Sequence, residues 1–253
     1  MNRRLTQILG AVVCWCCLGC KSRTPAPASR PAGGPATSPA TASTPASKPA
    51  ATQSTQPAHA DAGVLYRQDF EKVEIGQMPA EFLAMEGDFA VRDIAGNRVL
   101  ELPGEPLSSF GLLFGPVEAG DVAVRAKCNG SRKGRKYPTF GVGLGGVSGY
   151  RLIMSAGKEA LELYRDEELK TSIQYQWTSE TWTELLLRIR KAGDGQWKIE
   201  GKAWPRTGPE PADWMFSLET TDEPFPGRAS LWATPYAGTP IQFDDLVLTR
   251  LSR

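Results

Sequence analysis

The residues of this chain that could do chemistry are mostly aromatic. Trp177, Trp182, Trp197, Trp204, Trp214 and Trp232 crowd its second half. Indole faces stack on the apolar faces of sugar rings, so such a set suggests saccharide contact. Trp197 and Trp214 share strand faces with aliphatic residues and are expected in a core. Trp232 points the other way from Leu231 and Ala233, alongside Ser230 and Thr234, where core packing does not require it. Tyr236 follows Pro235 in the loop after that segment, and Trp177 follows Gln174 and Gln176 at a strand end. Arg151 alternates with Tyr150 and Leu152 and presents a rigid donor fork away from them. Trp232, Tyr236, Trp177 and Arg151 are therefore the candidate carbohydrate-binding residues. Gly141 to Gly145 would leave a bare strand face for the ligand.

Other chemistries are excluded by counting. The sole histidine is His59, in a Pro/Ala-rich stretch. The second half therefore cannot build a Ser-His-Asp or Cys-His nucleophile, or a His-ligated metal site. Of the five cysteines only Cys128 lies beyond residue 20. It alternates with Val122, Val124 and Ala126 and is expected to be a buried small apolar residue. Gly141-Val142-Gly143-Leu144-Gly145-Gly146 satisfies G-x-G-x-x-G, but a strand pattern, Tyr150 to Met154, follows it instead of the helix a dinucleotide site needs. Residues 62–253 hold 23 basic and 27 acidic side chains of the chain's 29 and 28, a net of −4 that argues against nucleic acid as a partner. Arg132, Lys133, Arg135 and Lys136 form a local basic loop. It reads as a solvated hairpin tip or as a contact for an anion, an acidic polysaccharide or a lipid headgroup.

The first 61 residues carry an address. Arg3 and Arg4 precede an apolar run, Leu5 to Leu18, and Leu18-Gly19-Cys20 ends it. At about 14 residues the run is shorter than the roughly 20 that span a bilayer. This end resembles the lipobox of bacterial lipoproteins, although Cys17 stands where that motif has Leu. The resemblance implies that residues 1–20 are a signal segment and that Cys20 is lipidated and anchors the protein to a membrane. Lys21, where Asp would favour the inner membrane, points to the outer membrane or cell surface. Residues 21–61, rich in Pro, Ala, Ser and Thr, have nothing to bury and are expected to be a disordered tether. About 40 residues at ~3.1 Å each reach on the order of 120 Å.

Residues 62–253 must supply the elements that hold the candidate site. Period-2 runs recur: Asn97 to Leu102, Asp121 to Cys128, Ala160 to Arg165, Thr183 to Arg190, Gln196 to Trp204, Ala229 to Thr234 and Ile241 to Thr249. Arg165-Asp166-Glu167-Glu168 and Ala192-Gly193-Asp194-Gly195 read as hairpin turns. Pro79 to Glu86 is expected to hold one short helical turn. The pattern predicts an all-β, antiparallel two-sheet sandwich.

Two segments carry a family resemblance. Tyr66 to Phe70 (YRQDF), with Gly76 and Pro79 after it, resembles the opening of concanavalin A-like jelly-roll domains. Phe243-Asp244-Asp245-Leu246-Val247-Leu248 resembles their closing strand. The resemblance implies a jelly roll over residues 62–253. It also implies a structural Ca2+ on Asp69 and Asp244, for which turn hydrogen bonds are the competing account. The E-x-D-x-x-E signature of family 16 glucanases within that fold is absent. Glycan binding or polysaccharide handling is the expected role. A carboxylate-dependent sugar hydrolase and a structural envelope module are the alternatives.

Overall fold

The computed structural model describes residues 63–105 and 109–252; the leader, Cys20, His59 and all of the Pro/Ala-rich tether lie outside the described residues. Among the described residues fifteen strands follow one another: β1 (Val64–Gln68), β2 (Leu83–Glu86), β3 (Ala90–Ile94), β4 (Asn97–Leu102), β5 (Phe110–Glu118), β6 (Val122–Gly130), β7 (Thr139–Leu144), β8 (Tyr150–Ser155), β9 (Ala160–Arg165), β10 (Glu168–Gln174), β11 (Thr183–Gly193), β12 (Gln196–Pro205), β13 (Phe216–Thr220), β14 (Gly227–Thr234) and β15 (Ile241–Arg250). One sheet runs β13-β12-β11-β6-β15-β4-β3, with β1 also on β15. The other runs β10-β9-β8-β7-β14-β5-β2. All pairings are antiparallel, as the period-2 pattern predicts.

The core lies between the sheets. On β6, Val122, Val124, Ala126 and Cys128 are buried while Ala123, Arg125 and Lys127 alternate with them. Leu185, Leu187 and Ile189 of β11 join them, and Phe140, Val142 and Leu144 of β7 belong to the same core. Each Val, Leu, Ile or Phe among them contributes about 1.5–3 kcal/mol by leaving water. Trp197 is in this core, as expected. Trp214 is not: it is half-buried before β13, with Arg188 4.0 Å and Lys202 4.8 Å from its ring centroid. Met215 and Phe216 follow it, but the strand starts only at Phe216, so the expected alternation does not reach it. Residues 79–86 also depart from expectation. Phe82 donates its amide to the Pro79 carbonyl in a single turn, and the chain then enters β2 at a sheet edge.

The closing strand shows why its Asp-Asp pair is there. β15 pairs with β4 up to Phe243 and with β1 from Leu246 onward. Between them its register on β6 shifts, and Asp245 takes a left-handed φ of 47°. Asp244 Oδ1 accepts the Asp245 amide at 2.7 Å, its Oδ2 accepts Asn97 Nδ2 at 3.1 Å, and Asp245 pairs with Lys127. The bulge lets one strand serve two edge partners.

Candidate functional site

The outer face of the second sheet carries a groove of about 300 Å3. Its floor follows from alternation. With Phe140, Val142 and Leu144 turned to the core, Gly141 and Gly143 of β7 face outward. Trp232 on β14 sits in register between Gly141 and Gly111, and Arg151 on β8 sits opposite Gly143. On β9, Tyr164 lies opposite Arg151 and Glu162 opposite Ile153. Side chains from three strands thus converge over glycine.

The Trp232 indole lies across this floor. Its Nε1 donates to Ser230 Oγ at 2.9 Å. A Cβ placed on Gly143 would be 3.3 Å from that nitrogen, and one on Gly111 would be 3.3 Å from the ring's Cε3. The Arg151 guanidinium stands 4.5 Å from the ring centroid. Arg151 also donates to the Asp166 carbonyl and pairs with Glu167 at 3.1 Å. Its Nε is buried and has no hydrogen-bond partner among the described residues.

Beside this pair is a buried carboxylate. Glu162 is only 3% exposed. It accepts from Ser155 Oγ, from Lys158 Nζ at 2.9 Å and from Tyr164 Oη at 3.0 Å. Burial works to raise its pKa, but these three donors and the Lys158 charge outweigh it and hold the group below its ordinary 4.5. The same hydrogen bond holds Lys158 above its ordinary value. The Ser155-x-x-Lys158 spacing is therefore no nucleophile–base pair: its lysine is kept protonated and its serine is tied to a carboxylate. At Glu167 the groove meets a more open depression of about 540 Å3 that includes Arg165, Asp222 and Phe225. There Arg165 lies 4.9 Å from the Phe225 ring centroid.

Of the residues expected in a saccharide site, the structure brings Trp232 and Arg151 together in the groove lining. Tyr236 stands apart in the loop after β14, 49% exposed, with Lys136 Nζ 5.9 Å from its ring centroid. Trp177 packs edge-on against the core residue Phe140 at 6.0 Å and lies outside the groove lining. Ser155, Lys158, Glu162 and Tyr164 were not singled out as binding residues. The signal for Glu162 was present: it is the acid on the outward face of a strand whose neighbours on that face are Tyr164 and the Ala160 turn. Asp69 accepts the Glu71 amide at 3.2 Å, and Asp244 is spent on the β15 bulge. Among the described residues no three His, Cys, Asp or Glu side chains are grouped to hold a metal. Both carboxylates act as acceptors for amides of their own turn or bulge, the competing account of them.

No family model and no curated protein sequence matches this chain. Solved structures do. The metal-free carbohydrate recognition domain of Emp46p superposes with a TM-score of 0.52 at 11% identity, covering 75% of this chain and 97% of that one. The corresponding domain of Emp47p gives 0.52 at 10% identity, over 76% and 99%. A Bacillus subtilis protein of unknown function with a galectin-like fold gives 0.51 at 10% identity, over 76% and 98%. At such identities the likeness is one of fold, and in fold the described chain is a lectin-like, concanavalin A-type jelly roll.

Proposed function

We propose that this domain binds saccharide in the groove over β7, β8, β9 and β14, and that lipid on Cys20 holds it at a membrane outside the cytoplasm. The observation that carries the binding reading is the convergence of an indole, a guanidinium and a buried ionised carboxylate over a floor of glycine. Sugar recognition needs an apolar wall and fixed donors and acceptors beside it. Trp232 supplies the wall. Glu162, Tyr164 and Arg151 supply polar groups already locked by their neighbours, so little ordering is lost on binding. The adjoining depression at Arg165 and Phe225 would let a longer chain continue past Glu167. Two of the structural neighbours, the domains of Emp46p and Emp47p, are carbohydrate recognition domains, which supports the same reading.

A hydrolase would need one protonated and one ionised carboxyl flanking the bond. Glu162 is held ionised, which suits an acceptor for sugar hydroxyls and not a general acid. The domain therefore binds without turnover in this proposal. Incubating the full chain with a printed glycan array tests it. Discrete saccharide signals that Glu162→Gln diminishes are expected; an array without signal would refute it.

A further inference from the structure

No Asp or Glu occurs between Asp121 and Glu159, while eight Lys and Arg do. Four of these find carboxylates elsewhere: Arg125 with Glu184 and Glu210, Lys127 with Asp245, Arg151 with Glu167, and Lys158 with Glu162. The remaining four, Arg132, Lys133, Arg135 and Lys136, are exposed and make no ion pair among the described residues. Glu180, whose amide bonds the Gly130 carbonyl, does not pair with them either. The loop is nonetheless built. Lys133 and Lys136 exchange backbone hydrogen bonds of 3.0 and 3.1 Å, the Arg132 amide bonds Ser179 Oγ at 2.9 Å, and Thr239 Oγ1 bonds the Ser131 carbonyl at 2.7 Å. A net-negative domain thus concentrates uncompensated positive charge on one pinned hairpin.

That hairpin stands at one end of the groove. Thr139, in the groove lining, directly follows it. Tyr137 packs against Gly157, between the groove residues Ser155 and Lys158. Lys136 faces Tyr236, just beyond the groove residue Thr234. The groove's own charges cancel, Arg151 and Lys158 against Glu167 and Glu162. Charge selection must therefore come from outside it. We propose that the ligand is an acidic saccharide, whose carboxylate or sulfate groups beyond the groove are bound by Arg132, Lys133, Arg135 and Lys136. This rests on the groove being a saccharide site. An anionic membrane surface is the poorer partner, because the hairpin tip from Ser131 to Lys136 carries no apolar side chain to insert.

The test uses matched probes: gluco-, manno- and galacto-oligosaccharides, and the same chains oxidised at C6 to uronic acids. The full chain is titrated with each. The variant with Arg132→Ser, Lys133→Ser, Arg135→Ser and Lys136→Ser together is titrated alongside, as is Trp232→Ala. The oxidised form of the preferred chain should bind about tenfold more tightly than the neutral form. The gap should close in the quadruple variant, and in the wild type as salt rises from about 0.1 M to 1 M and screening shortens from about 10 Å to 3 Å. Neutral binding should survive the quadruple change and fail in Trp232→Ala. Equal binding of both forms would overturn the acidic-ligand inference and leave the groove standing. No binding of any probe would overturn both. Binding to phosphatidylglycerol vesicles that needs the four cations, with no preference among saccharides, would make the hairpin a membrane contact and the inference wrong. The four positions are exposed, and an unchanged melt of the quadruple variant confirms that its fold is intact.

Discussion

The guanidinium of Arg151 and the indole of Trp232 meet 4.5 Å apart although their strands, β8 and β14, are separated by β7. Adjacent strands lie about 4.8 Å apart, so two strand spacings must be bridged. The bridge exists because β7 presents only Gly141 and Gly143 between them on that face.

Gly141→Ala should therefore be costly. A Cβ there would overlap the Leu152 carbonyl oxygen and the Ile153 side chain. Backbone cannot move aside as a side chain can, so a loss of about 1–3 kcal/mol is expected. Gly193→Ala, whose Cβ would meet only Gln196 at 3.7 Å, is the control and should change stability by less than about 0.5 kcal/mol. Urea titration of both variants checks this; equal midpoints would show that the floor has room.

Glu162 makes the stability depend on pH with a defined sign. Its folded pKa lies below the ordinary 4.5, so its contribution is present above that value and is lost as pH falls through the folded one. Glu162→Gln should cost about 1–3 kcal/mol at neutral pH. Wild type and variant should converge as pH falls below 4.5 and through the lower folded value. Denaturation curves across the acid range read this out; a constant difference at every pH would place the effect in packing.

The thiol of Cys128 is buried, and burial pushes its pKa well above the usual 9.0. In native protein Cys128 should resist iodoacetamide and in unfolded protein it should react, with no effect of reductant on the melt. Cys128→Ser should cost about 1–3 kcal/mol, because a buried hydroxyl replaces a small apolar group. Rapid native labelling would contradict this placement.

Much of the fold was legible because alternation reports burial directly. Asn97 to Leu102 and Ala160 to Arg165 coincide with β4 and β9. The opening and closing segments pair as β1 and β15. The edge strands β2 and β3 were not legible: Leu83 is 55% exposed, and one-sided edges leave little pattern. Trp232 was found because it faces away from Leu231 and Ala233. Glu162 carries no catalytic signal, since its strand lacks the E-x-D-x-x-E spacing of a catalytic acid pair. Its partners Ser155 and Lys158 come from β8 and the turn after it, and only strand pairing brings them near.

The anchoring proposal has its own check. Mass spectrometry of the mature N-terminus should find a diacylated Cys20, and Cys20→Ser should release the protein from membranes. A start at any other residue would remove the tethered arrangement.

The most direct measurement of the central claim is calorimetric titration of the wild type and of Trp232→Ala with oligosaccharides of increasing length. The expected result is weak binding by the wild type that tightens as the chain lengthens toward Arg165 and Phe225, and its loss in Trp232→Ala with the melt retained. A saccharide bound equally well by both proteins would contradict the groove as the site, and a wild type that binds none would contradict saccharide binding altogether.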